Sequence, residues 1–126
     1  MGQSVATFPV NMTGLDPTGP EAGADLSSSQ FHIVKADGTL AGAGEGYAVL
    51  QNAPGNGQPM SACVFGITKV KCGGTIARTG AFKSDASAQA VAATSSGDAP
   101  LGYVLEDATS GDVVWAFVCL NTAEVN

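Results

Sequence analysis

Basic residues are scarce in this sequence. Its 126 residues include 5 lysines and arginines against 11 aspartates and glutamates, which gives a net charge of −6. Proteins that bind nucleic acids usually carry a basic stripe interleaved with aromatic side chains, because the stripe neutralises phosphates. The sequence has no such stripe, so we expect no nucleic-acid partner.

Charge of either sign is also low. Charged residues make up 13% of the chain, about half the usual share for a soluble domain. Isolated monomers normally carry a mixed charged surface that opposes association. The deficit therefore favours a surface that meets other subunits or a larger particle. A compact domain rich in Gly and Ala, with a polar surface of Ser, Thr and Asn, is the equally weighted alternative.

Long apolar runs are absent too. The apolar runs stop at about eight residues, far short of the roughly twenty that a membrane-spanning helix needs. The first residues lack the basic start and apolar centre of a signal peptide. We therefore expect no membrane partner and synthesis in a cytoplasm.

The side chains that usually perform catalysis or bind metals are few and scattered. The chain has one histidine, His32, and three cysteines without paired spacing: Cys63, Cys72 and Cys119. An odd, unpaired set does not form a disulfide framework or a zinc motif. We expect the cysteines to be small buried hydrophobes and His32 to be an ordinary strand residue with a hydrogen-bonding partner or an exposed side chain.

Two further patterns have some features of functional sites. The carboxylates at 106, 107 and 112 surround a predicted turn, where acidic residues beside a glycine are ordinary solvated turn residues. The Gly-rich segment 42–46 lacks the Gly-Lys-Ser/Thr that holds a phosphate. The sequence thus predicts no enzyme, no cofactor and no metal site.

What the chain does contain is a series of short apolar segments separated by turn residues. About seven such segments recur at spacings near ten residues, and no convincing helical period of ten or more residues is present. The fold class that this pattern predicts is all-β, a small barrel or sandwich of about seven short strands. Residues 60–71 are long enough for one bent strand or two short ones, with Gly66 at the corner.

The best hairpin candidate is formed by residues 101–105 and 113–120, with Gly111 and Asp112 at the end of the connection. Residues 113–120 are apolar at every position, so both faces of this strand need cover. Val114, Ala116 and Val118 point one way, while Val113, Trp115, Phe117 and Cys119 point the other way. We expect the smaller set to face outward, towards the chain's own arm or another subunit.

Residues 1–28 differ from the remainder, with three prolines, four glycines and no sustained period. We divide the chain into an extended N-terminal arm, residues 1–28, and a single β-domain, residues 29–126. Phe8, Val10 and Met12 share one side of the extended arm, which can lie across its own sheet or add to the edge of a neighbour's. A partly disordered terminus is the other interpretation.

From residue 31 onward, the order of features resembles the capsid decoration, or cement, proteins of tailed bacteriophages, of the small β-barrel type. The residues that carry the resemblance lie at 66–77, 82–85, 90–93 and 101–118. The pattern departs from this family at residues 86–89, where similar proteins usually have a tight turn that contains glycine. The arm has no clear counterpart.

The resemblance implies a non-enzymatic virion protein that is made in the host cytoplasm. Such a protein binds the major capsid protein on the outer capsid surface in many copies and stabilises the shell. From this we predict capsid or inter-subunit contacts by Phe8, Val10, Met12 and Leu15, and clustering of copies, for instance as trimers. The alternative is a β-domain binding module for carbohydrate or a host surface on a phage head or tail.

Overall fold

The computed structural model describes residues 10–12, 21–95 and 98–119, and these form an all-β domain. The strands are β1 Val10–Met12, β2 Ile33–Val34, β3 Ala48–Leu50, β4 Ala62–Lys71, β5 Ala81–Ser84, β6 Ala90–Ala92, β7 Gly102–Val104 and β8 Val113–Cys119. No helix is present in this part of the chain, and so the described residues contain no helix that could cross a membrane. The predicted fold class is confirmed.

Seven strands form one antiparallel path in the order β2-β3-β4-β8-β7-β5-β6, and β1 pairs with β4. The two ends of the path come together into a nearly closed barrel. Ile33 N donates a hydrogen bond to Ala88 O at 2.8 Å, and Gly73 N donates to Ala90 O at 2.8 Å. Near-closure leaves little of the sheet edge unpaired.

The longest ladder joins β4 to β8, with seven consecutive pairs from Phe65 with Cys119 to Lys71 with Val113. β4 is therefore one strand rather than two. Gly66 lies within the ladder, opposite Val118, and adopts a φ of +125°, which side-chain-bearing residues rarely adopt. The predicted hairpin of β7 and β8 is also present, with Tyr103 opposite Phe117.

The interior of the barrel is filled mainly by aliphatic side chains and one large ring, Phe82, which is fully buried. Val114, Ala116 and Val118 of β8 all point into this cluster. The expectation that these three face outward is wrong. The inside of a seven-strand barrel is narrow, so the small side chains fit there and the large rings of β8 lie outside.

A second apolar cluster lies on the outer side of β2, β3 and the start of β4. Alternation along these strands sends one set of side chains inward and the other outward. The outer set packs against Ala22 and Leu26, which belong to the chain that precedes β2 and are buried. The cluster consists of Ala22, Leu26, Val34, Ala48, Leu50, Met60 and Ala62.

Backbone hydrogen bonds hold residues 21–26 against the barrel. Ala22 N donates to Gln58 O at 2.9 Å, and Leu26 N donates to Pro54 O at 2.9 Å. Gly23 N donates to Gly38 O at 2.8 Å, and a side chain on Gly38 would meet the backbone of Glu21 and Gly23. The division of the chain between residues 28 and 29 remains a prediction.

Three turn carboxylates, of which Asp25 and Asp37 are exposed and Asp98 is partly buried, accept hydrogen bonds that favour their charged form. Hydrogen bonds from Ser27, Thr39 and Lys83 lower the pKa values of Asp25, Asp37 and Asp98 from the ordinary 3.8. The shortest joins Thr39 Oγ1 to Asp37 Oδ1 at 2.6 Å. Each carboxylate therefore favours the folded state when it is ionised.

These pKa shifts predict a loss of stability in acid. Because the folded pKa values lie below the unfolded values, the stabilisation is complete above the unfolded value and is lost as the pH falls through the folded ones. We expect the urea midpoint to be lower at about pH 3 than at about pH 6. Asp37→Asn is the control, because it should reduce this pH dependence. A midpoint that is the same at both pH values would contradict the prediction.

Candidate functional site

The outer surface of β4, β8 and β7 carries a continuous apolar face. On β8, Trp115 is 47% exposed, while Ala116 beside it is fully buried. The other large apolar side chains exposed on this face are Phe65, Ile67, Tyr103 and Val113. We call this set, together with the partly buried Phe117, the aromatic face. Large exposed apolar patches of this kind usually mark interaction sites.

Phe117 lies at the centre of the aromatic face. Its ring centroid is 5.5 Å from that of Phe65, with an edge-on angle of 73°, and 5.5 Å from that of Tyr103, with a tilt of 42°. Such ring pairs stabilise by about 0.5–1.5 kcal/mol beyond burial alone. The rings therefore hold one another in place, and the face presents a defined shape.

Charged groups flank Trp115 on opposite sides. Lys69 lies opposite Trp115 on β4, and its Nζ is 5.3 Å from the centroid of the indole ring. On the β7 side, Trp115 N donates to Glu106 Oε2 at 3.0 Å, where the ladder with β7 has ended. Lys69 and Glu106 are both exposed. Across the three strands the face thus runs from a cation through aromatic rings to a carboxylate.

The barrel has two apolar outer surfaces that differ in their cover. The surface of β2 and β3 is covered by residues 21–26 of the same chain, which complete the second cluster. The aromatic face keeps five large side chains more than a third exposed. The sequence predicted that both faces of the apolar segment 113–120 would need cover. In the structure, the face of β8 that is not covered by the barrel core is the one that carries Trp115 and Phe117.

Two of the four predicted contact residues lie outside the part of the chain that the structure describes. Val10 and Met12 belong to β1, which runs antiparallel to β4 with Val10 opposite Phe65 and Met12 opposite Ala62. The backbone of the arm therefore reaches β4 at the first ring of the aromatic face. Phe8 and Leu15 lie outside the described residues, and the contacts predicted for all four side chains remain predictions.

The turn carboxylates of the β7–β8 connection bind backbone amides of their own chain. Besides Glu106, Asp107 accepts from Arg78 N at 2.8 Å, and Asp112 accepts from Thr109 N at 2.9 Å. The Asp112 contact is the ordinary turn interaction that the sequence indicated, whereas Glu106 and Asp107 join the connection to β8 and to the loop before β5. No group of three or more His, Cys, Asp or Glu side chains that could hold a metal ion occurs among the residues described.

The cysteines differ in their surroundings. Cys63 and Cys72 are buried free thiols, and burial raises the pKa of each to about 11, so they remain protonated and unreactive. Cys119 is partly exposed and lines a shallow pocket beside Tyr103, together with Ala81, Pro100 and Gly102. The expectation of three buried cysteines therefore holds for two of them.

The histidine has the kind of partner that the sequence suggested, but it lies one residue before β2 and not within a strand. His32 Nδ1 lies 3.3 Å from Gln30 O, and Gln89 Nε2 lies 3.4 Å from His32 Nε2. These contacts place His32 among backbone and amide groups near the closure of the barrel.

The overall shape of the barrel is shared with a solved structure. That structure is a phage protein. It is the crystal structure of the N base of the head fibre protein gp8.5 of bacteriophage phi29, which superposes with a TM-score of 0.63 at 15% sequence identity. The match covers 91% of this chain and 98% of the phi29 chain. At this identity the likeness establishes the fold.

Comparison by sequence gives no relatives. No family model matches the chain. No curated protein matches it either.

Sequence reasoning missed the aromatic face as a site. It placed Trp115 and Phe117 on the inward side of β8, because a strand that is apolar at every position does not show by its hydropathy which alternation points inward. The one available signal was side-chain size: three small residues alternate with large ones along β8, and the inside of a small barrel admits mainly the small set.

Proposed function

We propose that this protein is a structural component of a tailed-phage head that binds the outer surface of the shell in many copies and stabilises it. The observation that carries the proposal is the fold match to the phi29 head fibre base over nearly the full length of both chains. The resemblance of residues 66–118 to capsid decoration proteins supports it independently, because it rests on the order of sequence features.

The surface properties fit this role. Only 13% of the residues are charged, and the aromatic face presents large apolar side chains to solvent. In the proposal, the major capsid protein is the main partner, and the protein acts by binding rather than by catalysis.

The arm supplies a second set of contacts in this proposal. We assign Phe8, Val10, Met12 and Leu15 to contacts with capsid subunits or neighbouring copies. Its described part already pairs as a strand with β4, which shows that the arm sequence is able to join a sheet. Strand addition gives affinity through main-chain hydrogen bonds and places few demands on side chains.

The direct test measures uptake by shells that lack the protein. Purified protein is added to undecorated shells, and bound copies per shell are counted as the concentration rises. We expect saturable, shell-dependent uptake in many copies. No uptake, or uptake that never saturates, would reject a decoration role.

A truncated chain tests the contribution of the arm. The cut belongs before Glu21, because Ala22 and Leu26 are buried in the second cluster. The chain that starts at residue 21 should fold and lose most shell binding. Equal shell binding by the truncated and full chains would remove the arm from the proposal and leave the fold-based role in place.

A second candidate function is a binding module for carbohydrate or a host surface. The exposed rings of Trp115 and Tyr103 favour it, because sugar-binding surfaces usually present aromatic side chains. Titration of Trp115 fluorescence with glycans of the host surface separates the two candidates. A saturable change together with no shell uptake would favour the binding module.

A further inference from the structure

The aromatic face has a charge arrangement that is complementary to itself. Lys69 lies on the β4 side of Trp115 and the Glu106 carboxylate on the β7 side. Adjacent strands are about 4.8 Å apart, so the two charges stand roughly 10 Å apart across the strands. The apolar side chains of the aromatic face lie between the two charges and along β8.

A two-fold axis parallel to β8 brings these charges together in pairs. Rotation about that axis stacks two copies face to face and exchanges the left and right sides of the face. Lys69 of each copy then lies over Glu106 of the other, and the two Trp115 rings meet near the axis. An axis perpendicular to β8 in the same plane would instead place lysine over lysine. The charges therefore select one arrangement.

We propose that the aromatic face binds a second copy of this chain in a two-fold, face-to-face dimer, with paired Lys69–Glu106 contacts on both sides of an aromatic centre. Two-fold dimers are the commonest symmetric assemblies, and they require a patch that is complementary to itself. Sheets that pack face to face in this aligned manner occur throughout β-proteins. The proposal goes beyond a role on a phage head and does not depend on it.

The size of the face sets the expected strength. β8 spans seven residues, or about 23 Å, and β4 to β7 spans about 10 Å. This area is well below the roughly 800 Å² per partner of a standard stable interface. We therefore expect a reversible dimer that forms in the micromolar range and reaches high occupancy where copies are concentrated.

The experiment measures the association of the full chain by sedimentation velocity, from low micromolar to near-millimolar concentration. Trp115 is the only tryptophan and lies near the proposed two-fold axis, so its emission should move to shorter wavelength as the dimer forms. Lys69→Glu and Glu106→Lys should each raise the dissociation constant by roughly tenfold, because each places like charges in contact at two symmetric positions.

Mixing the two variants is the decisive measurement. A Lys69→Glu copy is acidic on both sides of its face, and a Glu106→Lys copy is basic on both sides. An equimolar mixture should therefore recover association to near the level of the original chain, although each variant alone is weakened. Changes confined to the fold of one copy would not be corrected by mixing.

Matched controls lie outside the face. Glu45 accepts a hydrogen bond from Gly42 N at 2.8 Å, much as Glu106 accepts one from Trp115 N. Glu45→Lys and Lys35→Glu repeat the two charge reversals and should leave the dissociation constant unchanged. Their unfolding curves show the effect of such changes on stability alone.

Several results would overturn the proposal. One is a chain that stays monomeric over the whole range. Another is association, as trimers or otherwise, that Lys69→Glu and Glu106→Lys do not weaken. A third is a Trp115 emission that moves to longer wavelength when residues 1–9 are removed, without any change in association. That result would show that the arm, and not a second copy, covers the aromatic face in the full chain. Shell uptake is measured separately, so failure of the dimer leaves the proposed function standing.

Discussion

Replacing Gly102 with alanine is expected to lower the free energy of unfolding by about 4 kcal/mol or more, which is exceptional for the addition of one methyl group. Gly102 lies opposite Val118 in the β7–β8 ladder. A Cβ at this position would fall on the carbonyl oxygen of Phe117 and lie 3.0 Å from Val118 Cα. These are backbone atoms, so the clash is relieved only if β7 moves away from β8.

Urea denaturation followed by Trp115 fluorescence measures the effect of Gly102→Ala. Gly111→Ala is the matched control, since Gly111 has a φ of +94° and open space around its Cβ position. That change should destabilise by about 1 kcal/mol, the value for forcing a side-chain-bearing residue into a left-handed conformation. Equal midpoints for the two variants would mean that β7 does not pack against β8 as closely as described.

The second large effect concerns the chain before β2. A protein that begins at residue 29 is expected to be less stable than one that begins at residue 21 by about 3–5 kcal/mol. It loses the buried Leu26 and Ala22, and it exposes the outer side chains of β2 and β3 that they cover. The backbone hydrogen bonds that residues 22, 23 and 26 donate are lost as well, together with the one that Ala22 O accepts from Gly57 N.

Leu26→Ala in the full chain isolates the packing part of this effect and should destabilise by about 3 kcal/mol. The same denaturation measurement is applied to all three proteins. If the chains starting at 21 and 29 prove equally stable, residues 21–28 belong functionally to the arm, and the predicted division at residue 28 is correct. A large difference moves the start of the domain to residue 21.

The strand content of the fold was predictable because local signals agreed with one another. Apolar segments at 101–105 and 113–120 enclose a connection that ends in Gly111 and Asp112, and they form the β7–β8 hairpin. The long segment at 60–71 forms the central strand β4, which pairs with β8. Short-range chemistry of this kind is readable without knowledge of distant contacts.

The features that depend on contacts between distant segments were not predictable. Ala22 and Leu26 are separated by Gly23, Ala24 and Asp25 and show no strand or helical period, so nothing local reveals that they cover β2 and β3. The orientation of β8 was equally hidden, because both of its alternations are apolar and only the width of the barrel decides between them. The aromatic face follows from that orientation.

The pairing of β1 with β4 has a mechanical consequence. β1 joins the first residues of β4, and the remainder of β4 is held to β8 by seven consecutive pairs. Tension applied through β1 along the strand direction is passed into β4 and loads that ladder in shear. Its hydrogen bonds then resist together instead of opening one at a time. A pulling force on the arm is therefore carried by the β4–β8 ladder, which is the longest in the barrel.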